Sequence, residues 1–374
     1  PVLDTGGKVV DHKYEQATYL EWDNSSYRDG SPLVKSCQDC HMPDSFNGPL
    51  GPQKIANVQD QDFPETDNQA DVQVPKRDGY RRHQLLGINA YALEMFRHFP
   101  DILGVRLTSF MTGFDNGLPK AIESAAQTAS ENSARVEILQ TQLAGNQLTV
   151  QVKSTNLAGH RFPSGVGFRR LFMQMIVLDA NGQVVWGSGR SNNLGIIVDQ
   201  NGQPLPSEFH VGQAFQPHFQ LITQQDQVQI YEELTRDSEG KFTTSFLGRV
   251  EEVKDNRLLP LGWTLQGPAG FDPEFAEATA PDATTQQDAD FVNGTGSDTL
   301  TYQAQIPGGV ALPLKVQARL FYQSIPPRYL ADRFNLGDGP GTRRLHFLTS
   351  HLDDSKTPFA GWKLLAGQDE QIVP

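Results

Sequence analysis

Three things are scarce in this chain. No stretch of eighteen apolar residues occurs in its 374 positions, which excludes a membrane-spanning helix. Positive charge is short: 31 Lys and Arg stand against 44 Asp and Glu, and the formal net charge of −13 disfavours nucleic acid and anionic lipid as partners. Cysteine is nearly absent, with two in the whole chain, so neither a disulfide framework nor a four-thiolate zinc site can be built. No hydrolytic triad, phosphate loop or paired-carboxylate site stands out. Glycine (34) and proline (24) are plentiful, which favours short strands joined by turns over a helical bundle.

Both cysteines are spent in one place. Ser36-Cys37-Gln38-Asp39-Cys40-His41-Met42-Pro43 sets two thiols three positions apart, with a histidine directly after the second. This is the attachment pattern of a c-type haem. The thiols of Cys37 and Cys40 add across two vinyl groups of one porphyrin edge, and the imidazole of His41 reaches the iron from the proximal face. One covalent haem c is expected. A stray redox pair or a partial zinc site would need further thiols, which the chain lacks. Because such haems are attached outside the cytoplasmic membrane, the sequence predicts an exported protein, periplasmic, extracellular or on the cell surface. No charged-then-apolar leader stands at Pro1, as expected of a processed chain or a fragment.

The pattern along the chain predicts an α+β protein. Residues 1–134 read as a mainly helical and loop-rich haem domain, and residues 135–374 as an antiparallel β-sandwich of the immunoglobulin-like or jelly-roll-like kind. From Tyr14 to Trp22, aromatic and aliphatic residues recur at three- and four-residue spacing, a short helix leading to the haem. Trp22 and Tyr27 are candidates to pack against the porphyrin. Residues 43–80 are rich in Gly, Pro, Asn, Gln and Asp and read as one long irregular loop. Helices are predicted over 81–103, with Leu86, Ala90, Leu93 and Phe96 near one stripe, and over 118–134, opened by Pro119.

At about residue 135 the period falls to two. Val136 and Ile138, the turn Gly145-Asn146 and the alternation from Leu148 to Val152 predict a hairpin. Further strands are predicted at 169–179, 183–188, 299–306 and 314–323, an insertion loop over 264–298, and a short helix over 325–334 before a tail carrying Trp362.

An electron-transfer haem needs a second axial ligand. Met42 cannot reach the face opposite its neighbour His41. His83 ranks first, at the start of a predicted helix and close to Gly87; His160 follows, in the Gly- and Pro-bounded turn Ala158-Gly159-His160-Arg161-Phe162-Pro163-Ser164-Gly165. His98, His12, a methionine or an open site remain. His210 with His218, and His346 with His351, have spacings that suit metal pairs but read as solvated surface histidines.

Taken together, Trp22 and Ser25, the Ser36-to-Pro43 stretch, His-x-x-x-Gly-x-Asn at His83 and Gly159-His160-Arg161-Phe162-Pro163-Ser164-Gly165 resemble the C-terminal part of exported multihaem c-type cytochromes. The resemblance covers most of residues 15–190 and, more loosely, the region from Tyr302 to Phe334. It implies a helical haem region followed by a β-sandwich, with histidines in both settings serving as distal ligands. Such proteins usually carry several CxxCH motifs, whereas this chain has one, and Leu85 stands where the family usually has Phe.

The expected function is one-electron transfer through a bis-histidine haem, as a carrier more than an enzyme. Other redox proteins or cytochrome subunits are the expected partners, and a homo-oligomer or filament would use the surplus histidine on a neighbour's haem. The alternative is a haem enzyme with an open distal side acting on peroxide or a nitrogen oxide, with Arg81, Arg82 or Arg161 as polarising groups.

Overall fold

The computed structural model describes residues 1–42, 44, 81, 87–108, 111, 113 and 117–374. The N-terminal part begins with a hairpin, β1 (Val2–Leu3) and β2 (Val9–Asp11), followed by α1 (Thr18–Asp23) and α2 (Cys37–His41). After the undescribed stretch come α3 (Ala90–His98), α4 (Pro100–Leu103) and α5 (Leu118–Gln127). A π-type turn, Thr128–Ser133, feeds α5 directly into β3 (Ala134–Ala144).

In the described part of the expected helix over 81–103, residues 87–89 are not helical, the helix starts at Ala90 and it breaks once. Arg82 to Leu86 lie outside the described residues, as does the predicted loop over 43–80 except Asp44. Asn89 caps α3 by accepting a bond from the Ala92 N–H at 3.1 Å. The helix stops at Phe99, in front of Pro100, which lacks the N–H a continuing helix requires. Its buried face is Ala90, Tyr91, Glu94 and Met95; of the expected stripe, Ala90 is buried and Leu93 packs half-buried on the core, whereas Phe96 points to solvent. Tyr91 decides this, packing edge-on against Trp362 at 4.4 Å and Phe359 at 5.2 Å.

Two sheets carry the rest. β3 pairs with β4 (Gln147–Asn156) through the two-residue turn Gly145-Asn146, and β11 (Ser297–Gln305) and the short β7 (Leu221–Ile222) complete a four-stranded sheet in the order β3-β4-β11-β7. The seven-stranded sheet runs from β10 (Glu251–Asp255) through β8 (Ile230–Arg236), β5 (Arg170–Leu178) and β12 (Leu314–Gln323) to β13 (Leu364–Val373). Two strands hang off it, β6 (Val184–Ser188) on β5 and β9 (Phe242–Thr243) on β8.

Strand periodicity builds the core. Leu148, Val150 and Val152 of β4, Leu300, Tyr302 and Ala304 of β11, and Leu314, Val316, Ala318 and Leu320 of β12 alternate inward into one cluster. Each such aliphatic side chain contributes roughly 1.5–3 kcal/mol on burial. β5 is apolar on both faces: Leu171, Met173 and Met175 enter that cluster, while Phe172 joins Ile197, Leu205, Val228 and Ile230 behind the sheet. At the join of the two sheets β13 passes close over β3, and a Cβ on Gly367 would stand 3.1 Å from Val136.

Two further elements differ from expectation. The stretch over 264–298 holds a short helix, α6 (Pro273–Ala278), and buries Asp288 and Phe291. Beyond α7 (Pro327–Leu336) the predicted tail contains α8 (Pro340–His351), which begins at a proline, where the missing N–H costs nothing.

Candidate functional site

The two cysteines and His41 share the five-residue helix α2. So short a helix needs help at both ends. Ser36 and Asp39 form a capping box: the Ser36 hydroxyl accepts from the Asp39 N–H at 3.3 Å, and the Asp39 carboxylate accepts from the Ser36 N–H at 2.7 Å. Those bonds to Ser36, with Arg81 adding to them, hold the Asp39 carboxyl below the usual carboxylate range. Arg81 pairs with Asp39 and reaches the carbonyls of Gln38 and Met42, each at 3.4 Å, at the helix C-terminus. Cys37 and Cys40 are both exposed and in no disulfide, one turn apart on the same side of α2.

His160 comes from the opposite side, on the loop leaving β4. Asn156, the last residue of β4, pins this loop: its amide donates to the carbonyls of His160 at 2.7 Å, Leu258 at 3.0 Å and Leu259 at 3.2 Å, while its own oxygen accepts from the Ala158 N–H at 2.8 Å. The Nδ1 of His160 lies 2.8 Å from the Arg161 carbonyl. A carbonyl only accepts, so Nδ1 carries the proton and Nε2 keeps its lone pair.

The two imidazoles face each other. Their ring centroids are 6.3 Å apart and their planes lie within 9° of parallel. Two imidazoles bound to one metal through nitrogens at about 2.0 Å place their centroids roughly 6 Å apart, so the spacing suits one iron held between them. Paired thiols on one turn, an adjacent imidazole and a second imidazole with its tautomer fixed by a carbonyl form a donor set that fits a covalently held haem.

Trp22 and Tyr27, the expected packing residues, link the two ligand carriers. A Cβ on Gly159 would meet Tyr27 at 3.3 Å and Trp22 at 3.4 Å, so both rings lie directly against the His160 loop. Trp22 Nε1 also donates to the Lys35 carbonyl at 2.9 Å, and the Tyr27 carbonyl accepts from the Lys35 N–H at 3.0 Å. Lys35 is the residue before the Ser36 cap. The two aromatic residues therefore brace α2 against the loop that faces it.

Beneath them lies a buried ring of charge. Glu21 accepts from the Arg161 N–H at 3.2 Å and the Ser164 hydroxyl at 2.7 Å through Oε2, and from Arg257 at 3.4 Å through Oε1. Arg257 donates to Asp255 at 2.9 Å and 2.6 Å, and Asp255 pairs in turn with the Arg161 guanidinium. Burial opposes ionisation of Asp255, but Arg161 and Arg257 together lower its carboxyl below the usual range. Two carboxylates and two guanidiniums balance to zero. Sequence reasoning missed Glu21, Asn156, Asp255 and Arg257. The one signal was an acidic residue at position 21, on the stripe that Tyr14 and Ala17 begin.

His83 lies outside the described residues. His98 is exposed at the end of α3, its Nδ1 3.0 Å from the Glu94 carbonyl, and His12 is exposed beside the N-terminal hairpin. His346 and His351 are exposed, as expected. His210 is half-buried and stacks on Phe242 at 3.8 Å, and the His218 side chain is only 3% exposed, so neither is the solvated histidine expected.

His218 stands close to Asp288 and Asp298, a grouping that suits a metal by distance. Its hydrogen bonds argue otherwise. Nδ1 faces the amide nitrogens of Gln229 at 2.9 Å and Asn256 at 3.2 Å. Those amides cannot be turned round, because their oxygens accept from the N–H groups of Phe219 and Glu232. His218 therefore accepts at Nδ1 and donates from Nε2 to Asp288 at 3.0 Å, which leaves it no lone pair for a cation. The histidine is a structural member of a buried polar cluster.

No family model matches the chain, and no curated protein matches it. Among solved structures it is similar to a penta-haem cytochrome c552 from Thermochromatium tepidum, at 16% identity with a TM-score of 0.43, over 95% of this chain and 50% of that one. The chain thus spans half the length of that protein. What it can do is carried by its own side chains.

Proposed function

We propose that the chain is a c-type cytochrome that passes single electrons through one covalent haem, which Cys37, Cys40, His41 and His160 would hold. The observation that carries this is the facing pair of parallel imidazoles, one of them on the Cys37-to-His41 turn. When bound, the haem supplies the one-electron iron couple. Cys37 and Cys40 fix its edge, and the Arg161 carbonyl holds His160 in the tautomer whose Nε2 can donate. Trp22 and Tyr27 keep the two ligand-bearing segments at constant separation, so little reorganisation accompanies a change of charge. With two imidazoles and no thioether ligand, the potential is expected below that of a Met/His cytochrome.

The enzymatic alternative calls for a cation above an open iron face. Arg81 is committed to Asp39 and to the end of α2, and Arg161 is buried against Asp255, which supports the carrier reading. A role for His83 toward a haem on another chain is the ground on which we place this protein in a larger, exported electron-transfer assembly.

The test is the intact mass and visible spectrum of the purified protein beside its His160→Ala and His83→Ala variants. One haem by mass is expected, with only His160→Ala turning high-spin and binding carbon monoxide when reduced. A low-spin His160→Ala protein would refute the assignment.

A further inference from the structure

We propose that Glu21 is the positioning residue that sets His160 in register with His41, a proposal that rests on the reading of His160 as the distal ligand. A single oxygen of this buried carboxylate bridges the turn that follows the ligand, taking the backbone N–H of Arg161 at one end and the Ser164 hydroxyl at the other. Ser164 spends its proton on Glu21, so the Thr18 hydroxyl, 2.8 Å away, donates to Ser164. Thr18 and Glu21 thus hold the same turn from one face of α1. Arg257 fixes the other oxygen, and through Asp255 and Arg161 the ring closes back on the turn.

What makes this positioning rather than general support is the neighbour in sequence. Trp22 grips the Lys35 carbonyl just ahead of α2, while Glu21 grips the turn behind His160. Two consecutive residues of one short helix therefore hold the two segments that carry the facing imidazoles, and the 6.3 Å between the rings is set through them. A carboxylate suits the task because charge-assisted hydrogen bonds are short and directional. Its charge also matters: replacing it by the neutral Gln leaves Asp255 against Arg161 and Arg257, one negative charge fewer beside the turn, which favours the reduced iron.

The experiment uses the holoprotein with Glu21→Gln, Ser164→Ala and His160→Ala, checked for haem content by mass and for folding by thermal melt. The readouts are the rate of carbon monoxide binding to the reduced form and the midpoint potential. Glu21→Gln keeps the shape of the side chain and is expected to bind carbon monoxide about tenfold to a hundredfold faster than wild type, with a raised potential. Ser164→Ala, which removes one hydrogen bond and leaves the ring intact, should fall between. If Glu21→Gln stays within about twofold of wild type while His160→Ala binds freely, the positioning role is overturned and the ligand assignment stands. If His160→Ala itself keeps the wild-type spectrum, the ligand assignment falls and takes this proposal with it. Should Glu21→Gln fail to yield holoprotein, Ser164→Ala decides: a faster rate supports the role and an unchanged rate overturns it.

Discussion

At Asp298, burial and hydrogen bonding pull one carboxyl in opposite directions. The residue is fully buried, and burial pushes its carboxyl up to about 7 despite the nearby His218 and the 2.6 Å hydrogen bond from the Tyr231 hydroxyl. Its Oδ1 has no partner among the described residues. The carboxyl titrates near 3.9 in the unfolded chain, so between about pH 4 and pH 7 the folded state holds a proton that the unfolded state has lost. Its contribution therefore declines as pH rises through that window, by an amount on the order of a few kcal/mol. Asp298→Asn is neutral throughout. We expect it to melt close to wild type at pH 5 and above wild type at pH 8; an equal difference at both pH values would contradict the buried, protonated carboxyl.

The elements around the site depend on local chemistry more than on packing, and α2 is the clearest case. None of its five residues is buried, so its stability rests on the Ser36–Asp39 capping box and on Arg81 at its other end. Ser36→Ala removes one cap and should cost about 1 kcal/mol of helix stability. The amides of Cys40 to Met42 are expected to exchange about fivefold faster as a result, and an increase below about twofold would show that the cap does not hold the turn.

The same contrast explains what could be read from the sequence. The CxxCH turn was legible because its chemistry is local. So were the strands whose burial alternates cleanly, such as β4 and β12. β3 was only half legible: alternation with Val136 and Ile138 puts Leu139 outward, as found, but a bulge between Ile138 and Gln140 then shifts the phase and leaves Gln140 exposed, which no alternation rule anticipates. His160 was legible as a candidate, but its placement beside His41 was not, since it is made by contacts more than a hundred residues apart in sequence. Glu21, Asn156 and Arg257 were illegible for the same reason: each acts on a turn that the fold, not the chain, brings near. α8 was hidden by Pro340-Gly341, which reads as a turn but opens a helix.

At the scale of the whole molecule, the segment that leads into the Cys37-to-His41 turn meets the sheet region along a strip just ahead of that turn. Besides Glu21, Asn24 donates to the Thr264 carbonyl at 2.9 Å, and the Ser26 N–H donates to the Leu261 carbonyl at 2.7 Å. Gly262 lies in this contact with a φ of +81°, in the left-handed region, and a Cβ there would stand 2.0 Å from the Ser26 hydroxyl and 2.8 Å from its backbone nitrogen. Gly262→Ala meets both penalties, left-handed strain and overpacking, for a loss on the order of 2–4 kcal/mol. The loss falls on the strip and not on the core between the sheets, so it should separate two signals. In wild type the Soret and far-ultraviolet melting curves are expected to coincide, because the buried charge ring ties Glu21 to Asp255 at the end of β10. In Gly262→Ala the Soret change should come first, as the ligand-bearing segment leaves the sheets before they unfold. Coincident curves in the variant would mean that the segment and the sheets form one cooperative unit held by more than this strip.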